Sequence, residues 1–215
     1  MLTLLMLAWL NGLGQEGGQQ PGTPPRSVQG QVLTSTTTPA VKLTFAKGFK
    51  YAGTQSFILY NVANAEQHFF VDADEQGRVR RLYWVQFEGY LPSNTHTYRY
   101  QAKKTVTLGG LEFIADGNVR NLKAGGRPDS DGSRAQKFLK DKGYRMASDD
   151  VLAQRLVHLT DATKRNELMI IYMEDLSLLH LTAADLAPGG KAAAQRDAIL
   201  QGLLDRAVKG LDVAR

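Results

Sequence analysis

Glu88 and His96 are the residues whose types and spacing come closest to acid–base chemistry in this 215-residue chain. They flank Pro92, and a hairpin loop spanning Gly89 to His96 would pair Glu88 with Thr97 and set the imidazole at the hairpin mouth. A carboxylate beside an imidazole raises its pKa and orients the ring, which serves catalysis and simple binding alike. The surroundings are aromatic: thirteen of the eighteen Phe, Trp and Tyr residues fall between Phe45 and Tyr100. Alternation along residues 78–90 gives Leu82, Trp84, Gln86, Glu88 and Tyr90 one face and Val79, Arg81, Tyr83, Val85 and Phe87 the other. The second set is the more apolar and is expected to face the helices, leaving Trp84 and Tyr90 as platforms on an open or partly covered face. Trp84, Glu88, Tyr90, His96, Tyr98 and Tyr100 then compose a candidate aromatic-lined cleft for a small apolar or sugar-like ligand. An ordinary sheet with aromatic cross-strand pairs accounts for the same residues.

Other chemistry is sparse. Asp72-Ala-Asp74-Glu75-Gln76-Gly77 has the opening spacing of a calcium loop, but Tyr83 stands where the bidentate Glu of the twelfth position belongs. His68, His96, His158 and His180 are isolated from one another, so no metal is expected. There is no cysteine, no G-x-S-x-G elbow, no S-x-x-K and no Walker-type phosphate loop. No cofactor is expected, and the common nucleophilic and nucleotide-dependent classes are disfavoured.

The net charge of +5 is concentrated. Between Arg120 and Arg145 eight bases, among them Arg120, Lys123, Arg127, Arg134 and Lys137, stand against three acids. Such a segment is a candidate surface for an anionic polymer or membrane headgroups, without specificity for nucleic acid, and it is equally what a solvated helix face looks like.

Residues 1–14 have the form of a cleaved export signal. Leu2 to Leu10 is apolar except for Thr3, too short for the roughly 20 residues of a membrane span, and Gly12 and Gly14 precede a plausible cut before Gln15. No Lys or Arg precedes Arg26, which departs from the usual basic start, and the alternative is an N-terminal helix docked on the fold. Export predicts a periplasmic or secreted protein of a bacterial envelope, since a cysteine-free exported chain suits that setting. Residues 15–28, rich in Gln, Gly and Pro, read as a flexible linker, and residues 29–215 as one domain.

Within that domain, residues 29–47, interrupted by Pro39, predict two short strands or a strand at a sheet edge. FILYNV (57–62), EQHFFVDA (66–73), residues 78–90, residues 97–108 and residues 109–117 predict a meander with turns at 63–65, 74–77 and 92–94. Asp131 or Ser133 is set to cap a helix ending near Gly143, and Ser148-Asp149-Asp150 a second helix carrying Val151, Leu152, Leu156 and Leu159. LMIIYM (168–173) reads as a central strand covered on both faces. Thr182 and Asp185 form a small capping box, and residues 191–209 an amphipathic helix. The expectation is an α+β fold, a curved antiparallel meander of six to seven strands packed by two or three helices including a C-terminal one. The leading functional expectation is an exported non-catalytic ligand-binding or interaction domain. The alternatives are an extracytoplasmic hydrolase or isomerase using Glu88 and His96, and a binder of anionic envelope polymer through residues 120–145.

Overall fold

A computed structural model describes residues 25–101, 104–123 and 126–215. The expected signal, residues 1–14, and most of the linker lie outside them. In chain order the elements are β1 (Arg26–Gln29), β2 (Val32–Ser35), β3 (Val41–Phe45), β4 (Lys50–Leu59), β5 (Ala63–Ala73), β6 (Arg78–Tyr90), β7 (Thr105–Leu108) and β8 (Leu111–Asn121). There follow α1 (Asp131–Asp141), β9 (Arg145–Met146), β10 (Asp150–Leu159), β11 (Asn166–Asp175), α2 (Arg196–Lys209) and β12 (Leu211–Ala214).

The small sheet has the order β1-β2-β3-β12. The large one runs β4-β5-β6-β11-β10-β8-β7, with β9 adding a short parallel pairing to the start of β6. The expected α+β meander of six to seven strands under two or three helices is therefore corrected to a mainly β architecture, with sheets of eight and four strands and two α-helices.

Two misread segments account for most of that correction. Residues 150–159 form a strand, not a helix, because β10 lies between β8 and β11 and is buried on both faces. A doubly covered strand shows no alternation, so its apolar residues matched the helical period by coincidence. The acids meant to start a helix are used otherwise: Asp150 accepts hydrogen bonds from the Asn121 side chain (2.6 Å) and the Ala183 N–H (3.0 Å). The Pro92 hairpin is likewise absent. Both flanks of β6 are filled, by β5 and by β11, so residues 97–101 have no ladder to join and cross the sheet as an irregular strap.

Elsewhere the patterning locates the elements closely. β6 occupies residues 78–90, the apolar run 168–173 is the middle of central β11, and α1 forms in the expected segment, although its N-cap is Ser130 rather than Asp131 or Ser133. The turn between β4 and β5 is Tyr60 and Asn61, both at positive φ, rather than 63–65. The last three residues of the expected linker, 26–28, belong to β1, and Leu211 leaves the helical stripe to enter β12.

The large sheet has two differently used faces. Toward the small sheet and α2 it presents Phe70, Tyr83, Val85, Phe87 and Ile170, which pack with Leu33, Leu43, Phe45, Leu203, Leu204 and Ala207 in the main core. Toward α1 it presents Phe69, Val71, Leu82, Trp84 and Met173, closed by Ala135 and Leu139. The more apolar set of β6 thus does face a helix, α2, and Trp84 lies on the partly covered side.

Candidate ligand cavity and carboxyl pair

The α1-facing side of the large sheet is ordered into cross-strand rows by its register. Trp84, Ile171, Arg155 and Asp116 form one row, and Leu82, Met173, Ala153 and Asn118 the next. Above them α1 contributes Ala135, Gln136 and Leu139, and the space between is a cavity of about 260 Å³. Met146, Met169 and Met173, all the methionines among the described residues, line it. Thioether side chains adapt to irregular apolar shapes. Its polar wall is Asp116, Asn118, Arg155 and Asp131, with Arg155 ion-paired to Asp116 at 3.0 Å.

Trp84 is 6% exposed and lines this cavity, and its buried indole N–H has no hydrogen-bond partner among the described residues. A buried donor left unmade costs about 1–3 kcal/mol, so it invites an acceptor.

On the other side of the Trp84 row lies a polar strip. Gln55 donates to Gln67 (2.7 Å), Gln67 to Gln86 (2.7 Å) and to the Asp131 carbonyl (3.2 Å), and Gln86 to Glu88 (2.5 Å). Glu88 stands directly across the ladder from Glu167 on β11. The strap covers both: Tyr98 donates to Glu88 and Tyr100 to Glu167, each at 2.7 Å. Tyr90 stacks on Tyr98 with ring centroids 4.4 Å apart, and the Arg155 guanidinium sits 5.3 Å from the Tyr100 ring centroid.

Burial pushes the Glu167 carboxyl up to about 7, against the Tyr100 hydrogen bond that lowers it and with the neighbouring Glu88 adding to the rise. Burial also raises Glu88, and the hydrogen bonds from Tyr98 and Gln86 oppose that. Burial and the adjacent carboxyls raise the hydroxyls of Tyr98 and Tyr100.

Of the six residues read as a cleft, the structure brings Glu88, Tyr90, Tyr98 and Tyr100 into one cluster. Trp84 sits apart from it in the neighbouring cavity. His96 is exposed, packs edge-on against Tyr90 at 5.6 Å and makes no hydrogen bond to Glu88; Tyr98 occupies that position. The missing hairpin is the cause. Sequence reasoning passed over Glu167, Gln67, Gln86 and Arg155. Glu167 carried a signal, a carboxyl adjoining the apolar run 168–173, but its partner is 79 positions away across the ladder.

The basic segment is dispersed over the end of β8, loops, α1 and β9. Lys123, Arg127 and Lys137 each pair with an acid, Asp149 (2.5 Å), Asp129 (3.3 Å) and Asp141 (2.5 Å). Arg134 lies over Phe57 at 4.6 Å, and Arg120 borders the cavity mouth. On the opposite face of the sheet, Tyr51, His68, Glu66 and Arg26 form a hydrogen-bonded chain (3.2, 2.7 and 2.8 Å) beside an open groove. Among the described residues no helix is long and apolar enough to cross a membrane. Compared with protein families, curated proteins and solved structures, the chain matches none.

Proposed function

We propose that the protein is an exported, non-catalytic ligand-binding domain and that its site is the cavity between α1 and the large sheet. The ligand is a small molecule with an apolar body and one hydrogen-bond acceptor. The observation that carries this reading is a cavity whose apolar wall is Leu82, Trp84, Met169, Ile171 and Met173 and whose polar wall includes Asp116, Asn118 and Arg155, with the buried Trp84 indole N–H left without a partner among the described residues. An apolar pocket with few polar groups is the usual form of a small-molecule site. The cavity is small, about 260 Å³, which favours a compact aromatic or branched aliphatic carbonyl compound over a larger ligand.

Two other readings have less support. Acid–base catalysis by Glu88 and His96 lacks the contact it needs, and binding of an anionic polymer or membrane surface must compete with the acids already paired to Lys123, Arg127 and Lys137.

The test is native mass spectrometry of the purified protein for a retained small molecule, followed by thermal-shift titration with aromatic and aliphatic aldehydes, ketones, esters and carboxylates. Binding is expected to raise the unfolding temperature. Trp84→Phe, which keeps an apolar ring but removes the N–H, is expected to weaken binding about 5- to 100-fold, the equivalent of one buried hydrogen bond. No retained molecule and no shift across the series would overturn the proposal.

A further inference from the structure

The Glu88–Glu167 pair is a different kind of feature from the cavity. Directly opposed residues of an antiparallel ladder hold their Cβ atoms about 4.5–5.5 Å apart, so two carboxyls project side by side from β6 and β11. Glu167 is 2% exposed. Among the described residues neither carboxyl has an ion-pair partner.

The groups facing the pair can be named element by element. From β6 come Gln86, a donor, and Tyr90; from the strap, Tyr98 and Tyr100, both donors. From α1 comes Asp131, whose charge opposes ionisation of both carboxyls. From β10 comes Arg155, the one cation, which already serves Asp116. With Asp131 beside them and the Arg155 guanidinium already shared, the two carboxyls are costly to ionise together, Glu167 being buried and Glu88 partly buried.

The strap is the element free to respond. It lies in no ladder, and between Thr95 and Gln101 its described fastenings are few. The Tyr98 N–H donates to the Lys164 carbonyl (2.8 Å), Arg165 donates to the His96 carbonyl (2.8 Å), and the two tyrosine hydroxyls hold the carboxyls. Half of these contacts end on the pair itself.

We propose that Glu88 and Glu167 form a proton-operated latch, which keeps the strap closed against the sheet while the pair retains a proton and releases it when both carboxyls ionise. Release admits more water to the two carboxylates, which relieves a double charge of which Glu167 is buried and Glu88 partly buried. Because Tyr100 packs under Arg155, and Arg155 lines the cavity, opening the strap also loosens the polar wall of the cavity. This link to ligand access rests on the binding reading above; the latch itself does not.

Hydrogen exchange of the ligand-free protein, read by mass spectrometry on peptides covering residues 91–101, tests the latch. Rates are taken relative to an unstructured peptide at each pH between 5 and 8.5. Wild-type protection of the strap is expected to fall about tenfold or more as pH rises through about 7, while that of β10 and β11 holds. In Glu167→Gln, whose carboxamide cannot ionise, the strap is expected to stay protected across the range, and Glu88→Gln serves the same purpose if that variant does not fold. Tyr100→Phe is expected to lower protection at every pH. Flat wild-type protection, or an equal loss in both Gln variants, would overturn the proposal. Loss of protection without any change in ligand affinity would leave the latch standing and sever its link to the cavity.

Discussion

β11 carries two buried glutamates seven positions apart, one toward each face of the large sheet, and they are treated in opposite ways. Glu174, on the α2 side, is clamped by Arg206 through two nitrogens at 2.8 and 2.7 Å and receives the Tyr172 hydroxyl at 2.6 Å. Glu167, on the α1 side, receives only the Tyr100 hydroxyl among the described residues and faces another carboxyl. The faces around them differ in the same sense. On the α2 side Phe45 stacks on Phe70 at 4.0 Å, and the buried Tyr83 hydroxyl donates to the Ala207 carbonyl at 2.7 Å. On the α1 side there are a cavity, an unpartnered indole N–H and an uncompensated carboxyl pair. The first face is the more densely packed and its buried glutamate is compensated; the second retains more unmet polar demand, which is where the proposed binding and pH response lie.

Breaking the dense face should produce the largest effect. Phe70→Ala removes a ring with no exposure from that stack and is expected to cost about 4 kcal/mol in urea unfolding. A loss below about 1 kcal/mol would mean that the two faces are not packed differently.

The uncompensated carboxyl comes next, and its sign can be worked out. Glu167 titrates near 7 in the folded chain, whereas an unfolded Glu titrates near 4.3. Between those values the unfolded chain has given up its proton while the folded chain keeps it. Stability therefore falls as pH rises through this window and stays low above it, by up to about 3 kcal/mol. Urea unfolding at pH 4.5, 6 and 8 should show that decline in the wild type and a much smaller one in Glu167→Gln. A Gln variant as pH-dependent as the wild type would assign the decline to other groups.

Arg206→Met asks what the compensation on the α2 side is worth. It leaves Glu174 buried with one donor, and because the guanidinium is partly exposed the expected loss at pH 7 is about 2 kcal/mol, below the roughly 3–5 kcal/mol for breaking a fully buried pair.

The smallest effect is expected at Trp84. Trp84→Phe exchanges a ring for a smaller one but deletes an unmade donor, so the two effects offset and the free protein should change by less than about 1 kcal/mol. A loss comparable to that of Phe70→Ala would make Trp84 a core residue and nothing more.

How much of this was legible in the sequence depends on how local the signal was. The β6 strand, the apolar run of β11 and, to within a residue or so, the start of α1 could be read because each is written in consecutive residues. The aromatic and acidic character of the Trp84–Tyr100 region was equally visible. β10 was read as a helix because a strand buried on both faces loses its period-two alternation, and nothing within residues 150–159 says that two neighbouring strands will cover it. The Glu88–His96 pairing failed for a related reason. A turn signal at Pro92 suggests a hairpin, but whether the returning strand finds a free edge depends on β11, more than sixty residues later.

What the chain determines by itself is therefore alternation, turns and caps, together with the identity of the side chains that each strand offers to its two faces. Which strands become neighbours was decided only in the tertiary structure, because ladder pairing joins residues that share no local pattern. That decision placed Glu167 opposite Glu88, drew the strap over both, and closed α1 above Trp84 to leave a cavity with an unanswered N–H.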